Sequence, residues 1–389
     1  MDQNIKGTAV MYGAGSIGRG FIGQLFALSG YRVVFIDVNA AVVDKLNREG
    51  SYVLELVTAS GVEKSTIAPV SAVNGMDAAA AARAIAEADV MATAVGVNIL
   101  PRIKGVLAEG IKLRCQEQKP PLNIIICENL IAVDTYMKEL LEPLLDGAEL
   151  AYFRQNIGLL EASVGRMVPL LDKAEAEADP TRVVAEPFDK LPVKSDDIKG
   201  TLPQITGVIP FSPFEFYIER KLFVHNMSHA VCAYLGAAKG YEYIYQAVED
   251  PEIRPVVAGA MGEIARALSA KYSLPLAELT EFTDDLLIRF ANPRLRDTTA
   301  RVGRDVIRKL KRNDRLIGAA LCCLENGVEP QNIVKGIFAA LSYQCDEDET
   351  TAAVAKKLAE AGLEGVLKEL CGLTENEDLY IILKEKSNG

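Results

Sequence analysis

Between Ala9 and Gly20 the chain reads A-V-M-Y-G-A-G-S-I-G-R-G, an apolar run that ends on Gly13, Gly15 and Gly18 in a G-x-G-x-x-G array and opens into a helical pattern from Ser16. Each glycine serves a distinct physical purpose, in turn a tight turn, close approach of backbone to a pyrophosphate, and close packing of helix on strand. The helix start adds unpaired N–H groups and a partial positive charge for phosphate oxygens. The next β-branched run, Arg32–Ile36, leads into Asp37, nineteen residues after Gly18. A carboxylate there hydrogen-bonds ribose hydroxyls and repels a 2′-phosphate, and Val38-Asn39 supplies no Arg, so NAD is expected rather than NADP. The expected cofactor contacts are Gly13, Ala14, Gly15, Ser16, Ile17, Gly18, Arg19 and Asp37, with Thr93 and Val95 from the Val90–Val95 run. The plain alternative is a tight turn in an α/β protein that binds no nucleotide.

From Thr8 to about Ala148, β-branched runs (Ala9–Tyr12, Arg32–Ile36, Val90–Val95, Leu122–Cys127) alternate with helical patterns from Ser16 and Ala40. Such alternation implies βαβ units and a parallel sheet covered on both faces. Between Val183 and Gly207 the apolar pattern breaks up. Beyond Phe214 the reading is almost wholly helical: Phe216–Leu235, Tyr241–Gln246, Ile253–Lys271, Thr298–Lys311, Asp314–Glu325, Glu329–Ala340 and Thr350–Ala361. With 389 residues, too many for one typical domain, the expectation is a Rossmann-type doubly wound α/β domain over residues 1–200 and a mostly α-helical catalytic and substrate domain over 201–389. The acidic run Asp346–Glu349 reads as a solvated loop.

At the entrance to the second domain stands Lys221-Leu-Phe-Val-His-Asn226-Met-Ser-His229. At about 100° per residue, Lys221, Asn226 and His229 fall within an arc of about 140° and address one cleft. Transfer of hydride from an alcohol needs a base for the hydroxyl proton and donors for the developing alkoxide. A desolvated lysine can be that base, an Asn a dipolar donor, a His an orienting group. The competing reading is a surface lysine beside satisfied core polar residues. His225 and His229, the chain's two histidines, have the i, i+4 spacing of a zinc pair, but no H-E-x-x-H and no cysteine spacing completes a site. No metal is expected.

A third feature is charge. From Arg289 to Arg315 there are ten Lys or Arg and three acidic residues, a local +7 in a chain of net charge −11. In the helix expected from Thr298, Arg301, Arg304 and Arg308 lie at i, i+3, i+7 and form a stripe suited to gripping a phosphate, with Lys309 about 80° from Arg301 and in reach of a sugar hydroxyl. A solvated basic face is the alternative. A nucleic-acid patch is not expected, because no aromatic residues interleave to stack bases.

The K-x(4)-N-x(2)-H pattern of Lys221, Asn226 and His229, the opening GAGSIGRGFIG and the block RFANPRLRDTTARVGRDVIRKLKRNDRLIGAAL together resemble the polyol-specific long-chain dehydrogenases, over essentially the whole chain. The resemblance implies a zinc-independent, NAD-dependent reaction interconverting mannitol 1-phosphate and fructose 6-phosphate. It also implies Lys221 as general acid/base, Asn226 and Asn129 polarising the reacting oxygen, and substrate contacts at Arg301, Arg304 and Lys309, with Arg304 the favoured phosphate ligand. Asn129 also makes sense by position, since ligands of open α/β sheets lie beyond the strands' carboxyl ends; its plain reading is a helix N-cap. Val164-Gly165-Arg166 departs from the V-D-R of relatives and puts the exact polyol phosphate in question. A hexuronate (tagaturonate or fructuronate) reductase of the same family and a non-catalytic NAD(H) sensor are the other readings.

Net charge −11 argues against nucleic acid or an anionic membrane as a partner. Seven cysteines without C-x-x-C spacing read as reduced thiols of a cytoplasmic protein. With no charged n-region ahead of an apolar run in MDQNIKGTAVMYG and no apolar stretch of about 18 residues, neither export nor membrane anchoring is expected. The expected partner is a small sugar or polyol phosphate, and the resemblance leans toward a monomer.

Overall fold

The computed structural model describes residues 5–169 and 171–387. The chain divides into two compact units, Met1–Glu215 and Phe216–Gly389.

The first unit carries strands β1 (Gly7–Tyr12), β2 (Tyr31–Asp37), β3 (Tyr52–Val57), β4 (Val62–Ile67), β5 (Val70–Asn74), β6 (Val90–Thr93), β7 (Leu122–Ile126), β8 (Ile157–Glu161), β9 (Val183–Ala185), β10 (Leu191–Lys194) and β11 (Val208–Phe211). Six of them form the main sheet in the order β5-β2-β1-β6-β7-β8, every neighbouring pair parallel. This is the doubly wound Rossmann order, whose direction of winding reverses between β1 and β6 and opens a crevice at the strands' carboxyl ends. Period-two alternation explains why these strands are apolar on both sides: Ala9 and Met11 enter the core on one face, Val10 and Tyr12 the core on the other. The hairpin β3–β4 extends through β9 into a three-stranded sheet, and β10–β11 form a parallel pair. The short runs β3, β4, β5 and β8 were not expected from periodicity, because each mixes charged or small residues into its pattern.

In the second unit the described elements are helices. Met227–Ala238 is buried nearly throughout, and Ile253–Tyr272 and Gln331–Leu341 are among the helices packed around it. Two helices, Leu276–Phe290 and Asp378–Ser387, add to those expected from the sequence. The segment expected as one helix over Thr298–Lys311 is instead two short ones, Thr299–Gly303 and Val306–Lys309, separated by an extended Arg304 and an Asp305 at φ 64°. Tertiary partners take the backbone groups a continuous helix would have used. Asp348 Oδ2 accepts the Asp305 N–H at 2.7 Å, Thr350 Oγ1 accepts that of Val306 at 3.0 Å, and Tyr234 Oη donates to the Gly303 carbonyl at 2.9 Å. Asp348 is accordingly buried, not part of a wholly solvated acidic loop.

Candidate active site

The Gly13–Arg19 loop follows β1 directly, at the winding reversal. Gly13 sits at φ 99°, donates to the Ile36 carbonyl at 2.8 Å, and leaves only 2.5 Å between an added Cβ and the Ala94 carbonyl oxygen. Gly18 packs the helix onto the turn: a Cβ there would stand 2.0 Å from the Gly13 carbonyl oxygen. Gly15 differs, with no atom of the protein within 4 Å of its would-be Cβ and its backbone exposed. That open face beside a helix start leaves room for an anionic group such as a pyrophosphate. The helix begins with a π turn over Gly18–Ile22, in which the Gly23 N–H donates to the Gly18 carbonyl.

Asp37 ends β2 and its carboxylate reaches the loop: Oδ2 accepts the Ala14 N–H at 2.6 Å and Oδ1 that of Asn39 at 2.9 Å. Arg19 is buried, donates Nε to the Ala14 carbonyl and keeps Nη1 without a partner; burial lowers its pKa. Thr93, wholly buried at the end of β6, leaves Oγ1 equally unpartnered. Ser16 and Ile17 are half-buried on the first helical turn. Two orphaned buried polar atoms, an open glycine and a carboxylate at the end of β2 suit a dinucleotide, since buried polar groups without partners are costly.

Sequence reasoning missed what aligns the neighbouring loops. The buried Glu128 carboxylate accepts the N–H groups of Val95 and Gly96, both at 2.8 Å, pinning the end of β6 to the end of β7. Asn129 follows it, exposed; the next helix starts at Val133 after Ala132, so Asn129 does not cap it. Glu161 ends β8 and accepts from Ala132 N–H at 3.0 Å, and burial, with Asp134 nearby, pushes its pKa up to about 7. Arg166 needs no acid at Gly165 to be held. Its Nη1 donates to the Gly20 carbonyl at 2.8 Å and to Gln24 Oε1 at 2.7 Å, and its guanidinium lies over Phe21.

In the second unit, Lys221 and Asn226 lie on a π-helical stretch, Arg220–Asn226, closed by the Met227 N–H donating to the Leu222 carbonyl. The arc of about 140° reckoned from an α-helix therefore does not apply: an i→i+5 turn holds more residues and brings Lys221 and Asn226, five apart, to successive levels of one side. π turns of this kind concentrate at functional sites. Lys221 and Asn226 are half-buried and His229 is buried. Arg220 is drawn off into an aromatic slot, its guanidinium carbon 4.4 Å from the Tyr217 centroid and 4.2 Å from that of Phe282. His225 is buried, and burial together with Arg289, His229, Lys221 and Arg315 holds its pKa well below the ordinary value. His229 stacks on Phe290 with ring centroids 4.5 Å apart, and its Nε2 stands 3.1 Å from Asp297 Oδ2.

The broken helix disperses the expected arginine stripe. Arg301 is paired with Asp297, its Nε 2.6 Å from Oδ1. Arg308 is held by Asp305 at 2.6 Å and Asp314 at 3.3 Å. Arg304 is exposed, and its guanidinium has no partner among the described residues. Lys309 is turned inward, 3% exposed, with Nζ donating to the Arg304 carbonyl; burial, then Arg315 and Arg308, push its pKa down to about 7. Arg315 thus bears on both Lys309 and His225, and Asp297 touches both His229 and Arg301, which ties the Lys221–His229 stretch to the basic segment.

Residues 7–207 match the mannitol dehydrogenase Rossmann domain and residues 214–386 the mannitol dehydrogenase C-terminal domain. The chain is 42% identical over 379 residues to the mannitol-1-phosphate 5-dehydrogenase of Brevibacillus brevis, covering 97% of both proteins. It is 41% identical over 382 residues to that of Bacillus pumilus, covering 97% of this chain and 99% of the relative. Among solved structures it overlays on a substrate-free D-sorbitol dehydrogenase with a TM-score of 0.80 at 18% identity, covering 98% of this chain and 94% of the other.

Proposed function

The chain belongs to the mannitol dehydrogenase family, and from that premise we propose that it interconverts D-mannitol 1-phosphate and D-fructose 6-phosphate with NAD, without zinc, in the cytoplasm. The observation that carries the reading is the identity of about 40% across almost the whole chain to enzymes named for the first of these compounds. The site adds a chemical reason: in a protein of net charge −11, Arg304 offers an exposed guanidinium with no partner among the described residues, a fork suited to phosphate oxygens.

Gly13, Ala14, Gly15, Ser16, Ile17, Gly18 and Arg19 would hold the pyrophosphate of NAD, Asp37 its ribose, and Thr93 and Val95 the flank toward the nicotinamide. When bound, the cofactor supplies the hydride acceptor. Lys221 takes the proton of the reacting hydroxyl in oxidation and returns it in reduction. Asn226, with Asn129 as a second donor, stabilises the charge that develops on that oxygen, and His229 orients Lys221 or the substrate. Arg304 grips the phosphate, Arg301 and Lys309 are the further substrate contacts, Lys309 toward a sugar hydroxyl, and Arg308, like Arg301 already paired with a carboxylate, stands beside them. Among the described residues, no third donor joins His225 and His229 in a metal-binding group.

The test is NADH oxidation with fructose 6-phosphate beside fructose, tagaturonate and fructuronate, with EDTA present. Turnover on fructose 6-phosphate alone is expected. Turnover confined to a uronate would replace the proposal by a hexuronate reductase. Lys221→Ala should abolish turnover and leave NADH binding intact; surviving activity would remove Lys221 from its role.

A further inference from the structure

We propose that Asp297 is a positioning residue that fixes the tautomer of His229 with the proton on Nε2, leaving Nδ1 as the acceptor, while its other oxygen anchors Arg301. The catalytic consequence rests on the function proposed above; the tautomer does not.

The geometry is specific. The Asp297 side chain is about nine-tenths buried and divides its two oxygens between two groups: Oδ2 lies 3.1 Å from His229 Nε2, and Oδ1 accepts from Arg301 Nε at 2.6 Å. Its main-chain carbonyl accepts the Ile244 N–H at 2.9 Å, and a bridge between Tyr243 and Thr298 secures the next residue, so the carboxylate is held from both ends. Burial raises its pKa, but the contacts with His229 and Arg301 outweigh this and hold it below the ordinary carboxylate value. The carboxylate is therefore ionised at neutral pH and acts only as an acceptor.

An acceptor oxygen 3.1 Å from a ring nitrogen does not tolerate a lone pair there. Nε2 must carry the proton, although the N–H is not aligned well enough to count as a hydrogen bond and Nε2 is otherwise buried without a partner. The near-parallel stack on Phe290, at 16°, holds the plane of the ring, within which only the orientation described puts a nitrogen against Asp297, and the described structure gives Nδ1 no hydrogen-bond partner. A neutral imidazole protonated on Nε2 presents a lone pair at Nδ1, which accepts a proton or hydrogen bond from a substrate hydroxyl or an ammonium group; the opposite tautomer presents a donor, which takes no proton, has nothing to offer an ammonium group and meets a hydroxyl only at its oxygen. In the same contact Asp297 holds Arg301, which leaves Arg304 as the open guanidinium for the anionic end of a substrate.

The chain has two histidines, so long-range ¹H–¹⁵N correlation spectra of histidine-labelled protein contain two ring systems, assigned with His225→Gln. The wild-type spectrum should show His229 in the Nε2–H form; an Nδ1–H form overturns the proposal with Asp297 left in place, and Nδ1–H forms for both rings overturn it without any assignment. In Asp297→Asn the amide NH₂ can face Nε2, and the tautomer should switch to Nδ1–H. Turnover of fructose 6-phosphate should then fall on the order of 100-fold in kcat, with NADH affinity unchanged, less than the roughly 10⁴-fold that a wrong tautomer costs where the histidine is itself the base. Arg301→Ala should keep the Nε2–H tautomer and raise KM instead. An unswitched tautomer in Asp297→Asn, or a switch that leaves kcat intact, defeats the positioning role. Should the tautomers behave as described while the wild-type protein turns over none of the test substrates, the assignment of Asp297 to His229 stands and the proposed reaction falls.

Discussion

The two glycines that flank the open end of the nucleotide loop should fail in different ways when given a methyl group. In Gly18→Ala the new Cβ would lie 2.0 Å from the Gly13 carbonyl oxygen and 3.1 Å from its carbon. Ordinary contact begins near 3.4 Å, so helix and turn must part by more than an ångström, and both sides of the contact are main chain with no flexible end to yield. Overpacking of this kind costs about 1–3 kcal/mol. For a unit of this size that lowers Tm by roughly 3–10 °C. Gly15→Ala meets nothing within 4 Å, so Tm should stay within about 1 °C of wild type, since surface changes lie within about 0.5 kcal/mol. The same methyl occupies the place a pyrophosphate needs, and NADH affinity should drop at least about tenfold, or 1.4 kcal/mol. Thermal unfolding followed by circular dichroism and NADH titration by fluorescence read the two quantities separately. Should Gly15→Ala destabilise as much as Gly18→Ala, or bind NADH as wild type does, the placement of the cofactor over Gly15 is wrong.

Other consequences are as direct. Arg304→Ala should raise KM for fructose 6-phosphate about 10- to 100-fold, the worth of one charge-assisted contact, while Arg308→Ala, whose guanidinium is already paired, should leave it within about threefold in steady-state kinetics. Lys309 titrates near 7 in the folded chain and near 10.5 unfolded, so the folded form binds fewer protons and its stability rises with pH across that window. The urea-derived stability of wild type should gain about 2 kcal/mol on Lys309→Met between pH 8 and 9.5; no pH-dependent difference would place the ammonium in water. Glu263, 3% exposed, accepts three N–H groups at the start of the Gln331–Leu341 helix. Its replacement by Ala strands all three and should cost about 3 kcal/mol in denaturant unfolding; a loss under 1 kcal/mol would argue that water replaces the carboxylate.

Reading the sequence went furthest where one local pattern admits one conformation. Gly13, Gly15, Gly18 and Asp37 announced a strand, a turn, a helix and a second strand, and the structure brings the Asp37 carboxylate onto the Ala14 N–H. It went least far where the answer lay with residues distant in the chain. Nothing near Arg304 says that Asp348 and Thr350 will claim the N–H groups of Asp305 and Val306, and with them the helix that would have aligned the arginines. Glu128 and Glu161 were equally silent, because a carboxylate that orders a loop has no periodicity; Glu128 stands beside Asn129 in the C-E-N segment, and its place directly after an apolar strand was the one available hint. Asp297, inside the basic block, stood out in the sequence only as one of its three acids.

Local periodicity and the spacing of the glycines settled the class of fold and the dinucleotide loop, and residue types nominated the lysine, asparagine and histidine of the second unit. These follow from short-range sterics and from chemistry that few side chains can perform. Which arginine stays open, which way Lys309 points, and which groups face His229 depended on the folded chain. Each is settled by competition for hydrogen bonds and charge between segments tens of residues apart, and that competition exists only once those segments have been packed together.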